Sequence, residues 1–113
     1  MEYKGCIVEE SLDDNRVLNN LKVVKIRITD EEKPEDRWHI YDSLLSEDKI
    51  DDLHKHLRQG WYMHFWGNGK IIILFKGKKF EFDLDDKESW KPALDYGLSI
   101  NIPEEQLDFE MEF

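Results

Sequence analysis

The chain has 113 residues, 26 of them acidic and 16 basic, for a formal net charge of -10. That balance repels polyanions at long range, so it argues against non-specific DNA or RNA binding and against an anionic membrane surface. With 40% hydrophobic and 12% aromatic residues, the sequence is also too apolar for a disordered tail.

Other boundaries follow from what the sequence lacks. The longest unbroken apolar run, Ile71 to Phe75, is far short of the roughly 20 residues that span a bilayer. The N-terminal stretch shows neither the apolar core of a signal peptide nor transit-peptide character. Cys6 is the lone cysteine, so an intramolecular disulfide is impossible and a reducing cytoplasm is the expected location. Acids are spread evenly: residues 1–60 carry 15 acids and 10 bases, and residues 61–113 carry 11 and 6. Neither part is a basic arm, and residues 1–113 are expected to form one α+β domain.

Gly5 to Val8 reads as a short strand. Ser11 is placed to cap a short helix through Leu18. From Leu21 to Ile28, Val24, Ile26 and Ile28 alternate with Lys25 and Arg27, the period of a half-buried strand. Asp30 to Asp36 contains five acids and Pro34 and reads as an exposed loop. Trp38 to Leu44 alternates again and is expected to run antiparallel to the preceding strand. Ser46 is a good cap for a helix that carries Ile50, Leu53 and Leu57 as one stripe and stops at Gly60.

Three strands follow, Trp61 to Trp66, Lys70 to Lys76 and Lys79 to Leu84. Glycines at both turns make this a meander. A Gly77-Lys78 loop would set Phe75 opposite Phe80, Ile73 opposite Phe82 and Ile71 opposite Leu84. For the first hairpin two loops compete. A two-residue Asn68-Gly69 loop puts Tyr62, His64 and Trp66 on the apolar face with Ile71, Ile73 and Phe75. A three-residue Gly67-Asn68-Gly69 loop puts Trp61, Met63 and Phe65 there and is favoured, because it keeps His64 out of the core.

The last helix falls within Asp86 to Ile100, with Asp85 and Glu88 spaced as a capping box and Pro92 forcing a break or kink in its first turn. Asn101 suits a left-handed cap. In the tail, Ile102, Leu107 and Phe109 are expected to turn inward, with order through about Phe109. The element order is β-(short α)-β-β-α-β-β-β-α. It predicts an α+β fold: a mainly antiparallel sheet of about six strands with the two longer helices packed on one face.

The favoured register creates a mixed sheet face bearing Tyr62, His64, Trp66, Ile72 and Leu74. Lys25, Arg27, His39 and Tyr41 join it if the earlier strands are in phase. Rings, imidazoles and cations together suit a small anionic or planar ligand. The same face also reads as plain cover or intramolecular packing, or as a protein or homo-oligomer interface. No phosphate loop, cysteine pair or His-Glu-x-x-His motif occurs, so no cofactor, metal or catalytic residue is assigned. His54 and His56 are two apart on a predicted helix and point to different sides. The leading expectation is an acidic cytoplasmic binding or protein-interaction domain. The alternative is a small enzyme for an anionic metabolite, with His39 or His64 as acid/base and Lys25 and Arg27 as a charge clamp.

The run Ile71-Ile72-Ile73-Leu74-Phe75-Lys76 with Lys79-Phe80 has a second landmark downstream. That landmark is Tyr96-Gly97 followed by Ile102-Pro103-Glu104-Glu105-Gln106-Leu107-Asp108-Phe109. With the early Gly5-Cys6-Ile7-Val8-Glu9-Glu10-Ser11-Leu12, these residues resemble a family of small uncharacterised proteins of archaea and bacteria. The chain departs from that pattern at Asn101, where the family usually has Gly, and at Pro92. The resemblance implies no activity and supplies no catalytic residue.

Overall fold

Six strands form one antiparallel sheet in the order β2-β3-β1-β4-β5-β6 in a computed structural model that describes residues 2–107. The strands are β1 Tyr3–Val8, β2 Lys22–Ile28, β3 His39–Leu45, β4 Tyr62–Gly67, β5 Lys70–Phe75 and β6 Lys78–Asp83. Two α-helices interrupt them, α1 Glu47–His54 after β3 and α2 Lys91–Ser99 after β6. The predicted α+β class and antiparallel sheet are both present.

The helices do not share a face. Ile50 and Leu53 of α1 pack with Ile7, Met63, Phe65, Ile72 and Leu74. Ala93 and Leu94 of α2 pack with Ile71, Ile73, Phe75 and Phe82 on the other side. The cause is β5, where every residue from Ile71 to Phe75 is fully buried. A strand without a polar side needs cover on both faces, and one helix supplies only one. We call the α1 side face A and the α2 side face B.

The first hairpin corrects the favoured register. Gly67 stays in the ladder opposite Lys70, and the loop is the two residues Asn68 and Gly69, with φ of 56° and 75°. Positive φ at both positions gives the primed turn that matches strand twist, and Asn-Gly is its preferred dipeptide. Tyr62, His64 and Trp66 therefore lie on face B with Phe75, Ile73 and Ile71 opposite them. Ile72 and Leu74 lie on face A, in the core beneath α1. In the second hairpin the loop is Lys76-Gly77, so Phe75 faces Lys78, Ile73 faces Phe80 and Ile71 faces Phe82. This register is shifted from the expected one by two residues, which changes partners and leaves faces intact.

Smaller differences concern the helices. The segment after β1 forms two 3-10 turns, Glu9–Ser11 and Asn15–Asn20, and Asp14 caps the second by accepting from the Arg16 backbone N–H at 3.1 Å. Ser11 is instead buried, donating to the Val8 carbonyl at 2.6 Å. α1 stops at His54, and Leu57 reaches the core from an isolated bridge to Leu12. Pro92 does divide the last helix: a 3-10 turn, Lys87–Trp90, precedes α2.

At the end of α2, Asn101 takes the left-handed conformation with φ 69°. Its N–H donates to the Leu98 carbonyl, and that of Ile102 donates to Gly97. This paired cap turns the chain back over face B. Ile102 and Leu107 are buried there, as expected of the tail. Gly97 makes room: a Cβ at that position would stand 2.6 Å from a Leu107 methyl. The expectation for Phe109 lies outside the described residues.

Candidate functional site

Cross-strand pairing lays face B out as three rows. The first runs Lys22, Leu44, Lys4, Trp66, Ile71, Phe82. The second runs Lys25, Asp42 and Cys6, continued by His64, Ile73 and Phe80. The third runs Arg27, Ile40 and Val8, continued by Tyr62, Phe75 and Lys78. Each row begins polar or charged at β2 and becomes apolar toward β5. Helix α2 and the tail cover the apolar end.

Where the cover stops there is a cavity of about 620 Å³. Cys6, Val8, Arg27 and Ile40 form its floor on the β2-β3-β1 side. Tyr62 and His64 line it from β4, and Ile102 and Gln106 from the tail. Trp38 and Trp61, packed edge to face with centroids 5.1 Å apart, also line it. Along β4 the rings of Tyr62, His64 and Trp66 stack in sequence, with centroids 6.2 Å and then 5.4 Å apart. The Tyr62 hydroxyl donates to the Gln106 carbonyl and ties the tail to the sheet.

The charged end is ordered around Asp42. Its side chain is only 4% exposed, against 34% for Arg27. Arg27 donates to both carboxylate oxygens, at 2.8 and 3.1 Å, and its Nη2 lies 3.6 Å from the Cys6 Sγ. Burial pushes the Asp42 carboxyl up, but the hydrogen bonds from Arg27 and Cys6 and the Arg27 and Lys25 charges outweigh it and hold the group below its ordinary value. Asp42 thus stays ionised and fixes the guanidinium beside the cavity. In a chain of net charge -10, this part of face B gathers Lys4, Lys22, Lys25 and Arg27 around one acid.

Five of the seven residues singled out from sequence are on this face: Lys25, Arg27, Tyr62, His64 and Trp66. Of the β4 rings, Trp66 is buried, whereas Tyr62 and His64 are half-buried. His39 and Tyr41 are on face A instead. The His39 Nδ1 and backbone N both lie 2.8 Å from the Glu10 carboxylate. The Tyr41 hydroxyl donates to Glu9 at 2.7 Å. Those bonds latch the first 3-10 turn onto β3. The Glu10 hydrogen bond raises the His39 pKa against a smaller opposing effect of desolvation, and Glu9 adds to the rise. Burial works to raise Glu10 itself, but the bonds from His39 lower it overall.

Asp42, Cys6, Ile40, Trp38 and Gln106 were not picked out by the sequence pattern. Asp42 carries the one available signal, an acid inside an apolar strand between Tyr41 and Leu44. Its meaning depends on Arg27 lying opposite, which requires the β2-β3 register. Among the described residues no group of three His, Cys, Asp or Glu side chains is arranged to hold a metal ion, and no helix is long and apolar enough to cross a membrane.

No family model matches the chain, and no curated protein or solved structure shows significant similarity to it.

Proposed function

We propose that the protein is a cytoplasmic binding domain whose face B cavity takes a small ligand with a flat, apolar body and one anionic group. The observation that carries this reading is the cavity's two-part wall. Indole, phenol and imidazole rings supply flat contact area. At the other end a guanidinium held by a nearly buried carboxylate supplies a fixed, partly desolvated cation. Pockets of this volume with a few convergent polar groups are the usual form of small-molecule sites. The local cations also offset the repulsion that the net charge imposes on an anion.

The enzyme alternative loses its chemistry. It needs His39 and His64 to converge, and they lie on opposite faces of the sheet. His39 is engaged with Glu10.

A titration with naphthalene carboxylate tests the proposal, with a neutral naphthyl alcohol as control. The carboxylate should change the fluorescence of Trp38 and Trp61 and raise the melting temperature, because a ligand specific for the native state stabilises it. Trp38→Ala should weaken that binding by about tenfold, which corresponds to roughly 1.4 kcal/mol. Equal responses to acid and alcohol, or undiminished binding in the variant, would overturn it.

A further inference from the structure

The surroundings of Arg27 bear on the chemistry of the anion that the face B cavity takes. Among the described residues that line the cavity there is no acid, although the chain carries 26 of them. Among the same residues Arg27 alone carries a permanent charge. Asp42 holds it through Nε and Nη2, at 3.1 and 2.8 Å. A guanidinium grips a planar carboxylate through such an edge, with two parallel bonds. Here that edge is taken, and the acid offsets part of the Arg27 charge. A ligand carboxylate therefore meets a poorer partner than an arginine without Asp42 would offer.

Lys25 restores the charge. It is the cross-strand partner of Asp42 and stands two residues from Arg27 on the same face of β2. That spacing is about 7 Å along a strand. Lys25 is exposed and acts on Asp42 through its charge, whereas the hydrogen bonds to that carboxylate come from Arg27 and Cys6. An ammonium is a point charge on a flexible stem, with no plane to match. It can swing from Asp42 to an anion seated on Arg27, so the two cations approach that anion from different directions.

A phosphate monoester suits such a pair. Its three terminal oxygens diverge, so one can meet the guanidinium while another meets the ammonium, and near neutral pH it carries about -1.5 to -2 charges. A carboxylate brings two coplanar oxygens and a single charge. Resting on the face B cavity as the binding site, we propose that its ligand is a phosphate monoester of a flat aromatic or heteroaromatic body. The ring lies against Trp38, Trp61 and Tyr62, and Arg27 and Lys25 share the phosphate.

Fluorescence titrations with naphthyl phosphate and naphthalene carboxylate test this. At neutral pH the phosphate should bind at least about tenfold tighter, the worth of one added charged hydrogen bond. The preference should grow as pH rises through about 6, where the phosphate takes its second charge. His64, which also lines the cavity, works in the opposite direction, because its protonation at low pH favours both anions. Lys25→Met should remove most of the preference and change carboxylate binding far less. Its side chain is exposed, so the melting temperature of the variant should match the parent's. Lys22→Met removes the same charge further along β2 and should keep the preference. If the phosphate gains nothing over the carboxylate, or if the two lysine variants lose the preference equally, the phosphate assignment is overturned while the cavity reading stands. If neither acid binds, both are overturned.

Discussion

The two ends of face B are built from the same rows of paired residues yet obey different rules. At the β4-β5-β6 end, Ile71, Ile73 and Phe75 are sealed beneath Ala93, Ile102 and Leu107. There, cohesion comes from excluded water and close packing. At the β2-β3-β1 end, the strand β2 is exposed along most of its length, and the nearly buried pair Asp42–Arg27 organises the surface. The comparison shows that one continuous hydrogen-bonded sheet can carry a core at one end and a site at the other, because backbone pairing is indifferent to which it carries.

Breaking the covered end should have the largest effect. Phe75→Ala removes a fully buried ring that contacts Tyr62, Phe80 and Tyr96. It should cost about 3–5 kcal/mol in chemical denaturation. Leu107→Ala should cost about 2–4 kcal/mol by the same measurement, since the socket at Gly97 is shaped to that side chain. A melting curve unchanged by removal of the segment from Leu107 onward would show that the tail only lies on the surface.

The open end should respond less, and in a pH-dependent way. Arg27→Met strands the Asp42 carboxylate and should cost about 1–3 kcal/mol, less than a fully buried pair because a third of Arg27 is in water. The folded-state pKa of Asp42 is lowered. Its contribution is therefore complete above the ordinary carboxylate range and is lost as pH falls through the lowered value. Parent and variant should differ most near neutral pH, and the gap should begin to close only as pH falls below about 4. A difference independent of pH would mean that Arg27 matters for packing alone.

The smallest effect belongs to the latch on face A. The His39 pKa is raised, so its ionic contribution is complete below the unfolded value of about 6.5 and is lost as pH rises through the folded one. Glu10→Gln keeps an acceptor for the His39 backbone N–H and removes only the charge. Its melting temperature should lie below the parent's at pH 6, and the gap should close in mildly alkaline buffer. A gap that widens as pH rises would reverse the assignment.

What sequence could reveal followed from local periodicity. The meander, the cap at Asn101, the break at Pro92 and the burial of Leu107 each depend on residues close together in the chain. The faces did not follow. Choosing two loop residues over three at Asn68-Gly69 moved Tyr62, His64 and Trp66 across the sheet. The penalty of His64 near a core argued for the wrong loop because the unfinished cover of α2 was invisible. Burial of β5 on both sides was visible as the run Ile71 to Phe75, and it already required helices on opposite faces. Grouping His39 with Lys25 and Arg27 requires the earlier strands to join in phase, and the β2-β3 register sets His39 opposite Ile28, on the other side. Asp42 gained its role only when β2 and β3 were in register.

The cores on the two faces also differ in when they can exist. Among the described residues, every buried member of the face A cluster lies between Tyr3 and Leu74. The face B cluster draws on Ile102 and Leu107. A chain emerging from the ribosome at about 5–20 residues per second holds all the parts of the first core well before it holds those of the second. During that interval Ile71, Ile73 and Phe75 have no lid. The socket at Gly97 thus completes the second core after the first can form, and a lesion there should show first as loss of newly made protein.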